Sequence, residues 1–161
     1  MSKLKKQLFV IVSMTLLYAN HVFAVEINEL KQQAEAGNIN AQYALAVHYA
    51  TGDTVVEDVE EAAKWFLLAA NQGHSDAQVN LAVWYAMGLG VEQNQQEALK
   101  WYHRAADQGD SQAQYSLAAR YYKGFGVKRD SEHAKKLYES SCRGGFELSC
   151  KALRVLKLEG I

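Results

Sequence analysis

The chain has 161 residues, of which 49% are hydrophobic and 22% are charged, and its formal net charge at pH 7 is −1. A composition of this kind is typical of a globular protein, and the absence of excess basic charge gives no reason to expect nucleic acid as a partner. The chain contains two cysteines and no proline, so no proline interrupts a helix.

The first 24 residues predict a secretory signal that is removed after export. Three lysines within the first six residues precede an apolar stretch at 8–19, and Val22 and Ala24 are the small residues that a signal peptidase accepts. Because the apolar stretch is shorter than the ~20 residues of a membrane span, we expect cleavage at Ala24-Val25 and no membrane anchor. The exported chain is then periplasmic or secreted, and its net charge becomes −4 because three lysines leave.

The rest of the chain repeats with a period of 36 residues. A repeat of this length predicts stacked helical units. Small, apolar and aromatic residues all recur at this spacing, as in Gly37, Gly73, Gly109 and Gly145; Leu45, Leu81, Leu117 and Leu153; and Tyr49, Tyr85 and Tyr121.

Each unit predicts two helices. In the first, Ala41, Leu45, Ala46 and Tyr49 follow the spacing of one helical face. The second begins at a residue that caps helices well, as in Asp58, Asn94 and Asp130.

The predicted fold is therefore an all-α solenoid of antiparallel helix pairs with about eight helices. Its parts are a half unit at 25–37, units at about 38–73, 74–109 and 110–145, and a terminal capping helix at 146–161. We expect the outer face of that last helix to be polar, because Lys151, Arg154 and Lys157 share it. The first unit has Asp53-Thr54 where later units have Leu-Gly and Phe-Gly, so its loop is expected to differ.

Residues 70–106 carry the pattern A-x-x-G-x-x-x-A-Q-x-x-L-A-x-x-Y-x-x-G-x-G-V-x-x-N-x-x-x-A-L-K-W-Y-x-x-A-A. This pattern resembles the Sel1-like repeat, a relative of the tetratricopeptide repeat, and the resemblance covers nearly all of the exported chain. It implies stacked antiparallel helix pairs and a role in binding other proteins.

The two cysteines lie eight positions apart near the end of the chain. The period places Cys142 at the position of Ala106 and Cys150 at the position of Gln114. The C-x7-C spacing is similar to that of the cysteine-rich bacterial branch of the family, and this similarity implies a Cys142–Cys150 disulfide in an oxidising compartment. A redox pair, a zinc site and a catalytic thiol are the alternatives. They are disfavoured because the chain has no C-x-x-C motif and neither cysteine has a neighbouring histidine.

The sequence offers little for catalysis. Within residues 25–161 the histidines occupy four different phases of the repeat, and neither Ser-x-x-Lys nor Lys-Thr-Gly occurs. We therefore predict no catalytic residue, no metal and no cofactor. The alternative function, implied by the cysteine-rich relatives, is a binder of cell-wall or β-lactam ligands with weak β-lactamase-like activity.

By analogy with tetratricopeptide arrays, the first helices are expected to line a concave face that binds a protein or peptide. The alternative is that these side chains only pack between neighbouring first helices. The predicted binding residues are Tyr43, Val47, Val79, Val83, Met87, Tyr115, Ala119, Tyr122 and Lys123.

Charge is distributed unevenly along the chain. Residues 25–97 carry a net charge of −9, and residues 98–161 carry +5. This asymmetry suggests head-to-tail association of copies, with an incidental drift of surface charge as the alternative. Together these features predict an exported, non-catalytic repeat adaptor.

Overall fold

The computed structural model describes residues 25–158 and residue 160. The predicted signal at 1–24 lies outside these residues. None of the described helices is long and apolar enough to cross a membrane. The helices are α1 (25–35), α2 (Ile39–Thr51), α3 (Val59–Asn71), α4 (Ser75–Met87), α5 (Gln95–Asp107), α6 (Ser111–Lys123), α7 (Ser131–Arg143) and α8 (Glu147–Leu158).

The predicted caps of the second helices are confirmed. The side chains of Asp58, Asn94 and Asp130 accept hydrogen bonds from backbone amides in the first turns of α3, α5 and α7. These bonds satisfy amides that have no partner within the helix, and so they define where each second helix begins.

The first helices end at glycines. Gly52, Gly88 and Gly124 follow α2, α4 and α6 with φ between 67° and 78°, a left-handed conformation that a residue with a Cβ adopts only at a cost. Each glycine amide donates a hydrogen bond back into the last turn of its helix, which allows the chain to leave the helix axis.

The core combines a leucine from each first helix with alanines and with aromatic residues of the second helices, such as Phe66 and Tyr102. Leu45, Leu81 and Leu117 are fully buried. Ala46 and Ala62 in the first pair have no exposed surface, which allows α2 and α3 to approach closely. Each pair packs on the next through α3–α4, α5–α6 and α7–α8, so the predicted all-α solenoid is confirmed.

The terminal helix α8 differs from the prediction in the character of its outer face. Lys151, Arg154 and Lys157 are exposed as expected, but Val155 and Leu158 are exposed beside them. The face is therefore mixed and not simply polar. The apolar part of this face follows from the repeat, because Val155 and Leu158 occupy the positions of Ala119 and Tyr122 in the preceding unit.

The first loop differs from the later ones, as its sequence predicts. Gly90 lies so close to the backbone carbonyl of Val59 that a Cβ would overlap it. At the equivalent position, Thr54 forms a 2.8 Å hydrogen bond through Oγ1 with Nδ1 of His48. The first loop thus relies on a side-chain contact where the second relies on close backbone approach.

Candidate binding surface

A glutamine, buried at two junctions and half-buried at the third, connects each interior pair of helices to the second helix before it. The amide nitrogens of Gln42, Gln78 and Gln114 donate to the carbonyls of Ala34, Ala70 and Ala106 at 3.1, 3.0 and 3.3 Å. Each bond joins the start of a first helix to the end of the preceding second helix. The repeat thus has a polar contact at the same place in three successive junctions.

A second glutamine extends this contact at two of the junctions. Gln72 donates to Oε1 of Gln42 at 2.6 Å, and Gln108 donates to Oε1 of Gln78 at 2.7 Å. Since the side chains of Gln42 and Gln78 are buried, these bonds satisfy amide groups that water cannot reach.

The last junction has a disulfide in the same place. Cys142 and Cys150 are bonded, with 4.9 Å between their Cα atoms, so the predicted pairing is present. They hold the positions of the alanine carbonyl and the glutamine in the interior junctions. No cysteine among the described residues is free, and the pair therefore offers no thiol nucleophile.

The four histidines within residues 25–158 form no cluster of metal ligands. His48 contacts Thr54, and His74 stacks on Tyr43 with ring centroids 4.4 Å apart. His103 and His133 both contact the ring of Tyr121 edge to face. Within residues 25–158, no group of three or more His, Cys, Asp or Glu side chains is arranged to hold a metal ion.

One predicted binding residue belongs to the core. Val79 is only 5% exposed, because it packs among the buried residues between the helix pairs. A partner could not reach it without displacing its neighbours, so Val79 is removed from the candidate surface.

Two further predicted residues, Tyr43 and Tyr115, lie at junctions between units. The Tyr43 ring packs on His74, and the Tyr115 ring packs at 5.1 Å from the ring of Phe146, which holds the position of His74 two units later. Tyr115 also contacts Tyr138 at 5.6 Å. Both tyrosines are half-buried, so each contributes to packing as well as to the surface.

Two exposed apolar residues of α8, which sequence reasoning missed, occupy the same repeat positions as predicted binding residues of α6. Val155 is 53% exposed and Leu158 is 88% exposed. The signal was available in the sequence, because adding 36 to Ala119 and Tyr122 leads to them. We define the first-helix surface as Tyr43, Val47, Val83, Met87, Tyr115, Ala119, Tyr122, Lys123, Val155 and Leu158.

Cationic side chains lie along the C-terminal half of the first-helix surface. The guanidinium of Arg129 lies 5.4 Å from the ring centre of Tyr122, and the ammonium of Lys123 lies 5.8 Å from that of Phe125. Arg120 donates to Gln95 at 2.8 Å and lies over the ring of Tyr102. Met87, which is 63% exposed, lies in the preceding unit, where such cations are absent from α4.

Burial also changes the chemistry of one tyrosine beneath this surface. Burial raises the pKa of Tyr138 to about 12, with smaller contributions from the nearby Tyr115 and Tyr122. The phenol of Tyr138 is therefore neutral at physiological pH.

A family model for the Sel1 repeat matches residues 39–74, 75–110 and 111–146. The chain belongs to the Sel1 repeat family. Each match begins at the first residue of a first helix, at Ile39, Ser75 and Ser111. Sel1-repeat proteins generally act as adaptors in protein interactions.

Solved structures of Sel1-repeat proteins have the same fold. The chain is 35% identical to c5321, a protective antigen of uropathogenic Escherichia coli, with a TM-score of 0.80 over 82% of this chain and 28% of that one. It is 37% identical to a Sel1 repeat protein from Oxalobacter formigenes, with a TM-score of 0.75 over 80% of this chain and 97% of that one. The chain thus spans little more than a quarter of the first protein and nearly all of the second.

Cysteine rich protein B of Helicobacter pylori is a more distant structural relative. It is 20% identical to this chain, with a TM-score of 0.65 over 79% of this chain and 96% of that one, a likeness that shows the fold. No curated protein matches the chain.

Proposed function

We propose that this protein is an exported, non-catalytic adaptor that binds an extended peptide or a partner helix through the first-helix surface. The observation that carries the proposal is a row of apolar side chains in register across four first helices. The row consists of Val47, Val83, Ala119 and Val155, one from each of α2, α4, α6 and α8.

The exposure of the surface supports a binding role. Met87, Val155 and Leu158 each leave at least half of their surface in water. Covering apolar surface releases roughly 25 cal/mol per Å² before the costs of association, so a partner that follows the row gains at each unit. A regular row suits an extended or helical ligand better than a compact small molecule.

Export is supported by two independent features. The first 24 residues have the composition of a secretory signal, and the Cys142–Cys150 disulfide is typical of oxidising compartments. Intact mass of the protein recovered from the periplasm or medium tests this part of the proposal, with Val25 expected at the N-terminus. Recovery of only the uncleaved chain would contradict it.

The binding surface is tested by affinity capture with charge substitutions. Purified oxidised protein is immobilised and exposed to periplasmic extract. Bound proteins are identified by mass spectrometry for the wild type, Met87→Glu and Val155→Glu. The matched control is Leu68→Glu, since Leu68 is 46% exposed on the second helix α3. We expect one set of partners to be captured by the wild type and the control and lost by both surface variants.

Two outcomes would contradict the proposal. Partners retained equally by all four proteins would place binding elsewhere on the molecule. Nitrocefin hydrolysis by the purified wild type would instead favour the alternative, a binder of cell-wall or β-lactam ligands.

A further inference from the structure

The helix α1 exposes a face that interior second helices bury. In α3 this face consists of Ala62, Trp65 and Ala69, which pack against neighbouring helices. The equivalent residues of α1 are exposed, and two of them are acidic: Glu26, Glu29 and Gln33. The opposite face of α1 is ordinary, because Leu30 and Ala34 pack into the core.

The helix α8 exposes the complementary face. In α6, Tyr115, Ala118 and Ala119 belong to or pack on a buried cluster that includes Ala134 and Tyr138 of α7. The equivalent residues of α8 are Lys151, Arg154 and Val155, and all three are exposed. Residues 25–158 thus contain a second helix without a first helix on its pairing face, and a first helix without a second helix on its own.

One interior pair of residues shows which positions of α8 and α1 correspond to each other. Ala118 of α6 and Ala134 of α7 belong to the same buried cluster and have no exposed surface. Counting by the period, the equivalent of Ala118 in α8 is Arg154, and the equivalent of Ala134 in α1 is Glu26. A pair of alanines in the interior thus corresponds to a cation at one end of the molecule and an anion at the other.

We propose that copies of this chain associate head to tail, with α8 of one copy docked on α1 of the next to complete a helix pair. The interface places Arg154 opposite Glu26, and it covers the exposed apolar surface of Val155 and Leu158. Because Val155 and Leu158 also belong to the first-helix surface, association covers the C-terminal end of that surface.

Charge supports a second copy as the occupant. No ion pair within the described residues involves Arg154, Lys157, Glu26 or Glu29, so these charges have no ion-pair partner among residues 25–158. The surrounding charge has the same sign as each of these residues, since residues 25–97 carry −9 and residues 98–161 carry +5. Opposite ends of two copies therefore attract each other, and like ends repel.

The geometry determines the form of the assembly. Because the two contacting faces are different, the contact is heterologous and adds copies in a row instead of closing a two-fold dimer. Arginine and glutamate are larger than the alanines they correspond to, so the helices cannot approach as closely as in an interior pair. The association is therefore weak, reversible and sensitive to salt.

The test is a charge swap followed by sedimentation velocity. The full chain is expressed, and the N-terminus of the purified protein is identified by intact mass. Four proteins are compared over a range of concentrations at low and high salt: wild type, Glu26→Arg, Arg154→Glu and the double variant. Matched controls are Glu92→Arg and Lys128→Glu, which reverse exposed charges in loops away from both faces.

We expect the wild type and both controls to sediment faster as concentration rises at low salt, and to lose at least tenfold in association constant at high salt. Each single reversal should remain monomeric. The double variant, and an equimolar mixture of the two single variants, should associate again because opposite charges then face each other. All six proteins should have the same circular dichroism, since every changed residue is exposed.

Two results would overturn the proposal. The first is a wild type that remains monomeric at every concentration in low salt. The second is association that the single reversals leave unchanged, which would place the contact elsewhere.

Discussion

The interior junctions and the last junction of this solenoid join a first helix to the preceding second helix with different chemistry. Between Gln78 and Ala70 the contact is a hydrogen bond from a side-chain amide to a helix carbonyl, whereas at the last junction it is the Cys142–Cys150 disulfide. An interior first helix is held by neighbours on both sides. Among the described residues, α8 packs mainly on α7 and has no helix beyond it, and a covalent bond compensates for the missing neighbour.

The residues around the last junction are adapted to this change. The glutamine that follows α3 and α5 is replaced by Gly144, and a Cβ at this position would overlap Oγ of Ser111. Hydroxyl groups take over the polar contacts instead. Ser149 donates to Ser141 at 2.6 Å, and Ser141 donates to the carbonyl of Ser111 at 2.5 Å. The comparison shows that a repeat can keep its geometry while its polar contacts are exchanged as a group.

The largest effect should come from breaking the disulfide. Replacing Cys142 and Cys150 with alanine should lower the stability of α8 by ~2.5 kcal/mol, since the closed loop restricts the unfolded chain. Hydrogen exchange measured by mass spectrometry should show loss of protection in α8 and little change in α4, because units of a solenoid open locally.

The matched control for the disulfide is Cys142→Ala with Cys150→Gln, which installs the interior contact at the last junction. A glutamine-to-carbonyl hydrogen bond should recover about 1 kcal/mol of the loss. Unchanged protection of α8 after reduction of the wild type would show that the disulfide does not hold the last helix.

A smaller effect is expected at the interior junction. Gln78→Leu removes the bond to Ala70 and leaves the amide of Gln108 without its acceptor, which should cost about 2 kcal/mol in the free energy of unfolding. The measurement is urea denaturation followed by tryptophan fluorescence.

The comparison variant for this prediction is Gln114→Leu. Gln114 is only half-buried, and Gly144 offers no side chain to donate to it, so its replacement should cost about half as much. Equal losses for the two variants would mean that the paired glutamine adds nothing to the interior junction.

A further effect concerns pH and appears only in alkali. Tyr138 lies in the last complete pair, and its pKa is raised to about 12 by burial, whereas an unfolded tyrosine has a pKa of about 10. The unfolded chain therefore loses this proton first. The stabilisation is complete below about pH 10 and is lost as pH rises towards about 12.

Removing the hydroxyl tests the alkaline effect directly. Tyr138→Phe cannot ionise, so its free energy of unfolding should fall less than that of the wild type between about pH 9 and about pH 12. Urea denaturation at both pH values measures the difference. Parallel losses in the two proteins would show that Tyr138 is not the group responsible.

Much of the architecture could be predicted from single residues and their spacing. Asp58, Asn94 and Asp130 predicted where the second helices begin, because capping depends on a side chain and the next few amides. The resemblance to the cysteine-rich branch placed the disulfide at Cys142 and Cys150. The polar face predicted for α8 rested on its lysines and arginine alone. It left out Val155 and Leu158, which lie one period after Ala119 and Tyr122.

By itself, the sequence determined the period, the helix pairs and their caps, since these follow from local chemistry repeated at a constant interval. Only the tertiary structure decided which side chains of the first helices remain accessible. Val79 is buried, Tyr43 and Tyr115 pack against the next unit, and Leu158 is exposed. The physical reason is that a repeat position determines the direction of a side chain, while its exposure depends on the size and presence of the neighbours that cover it.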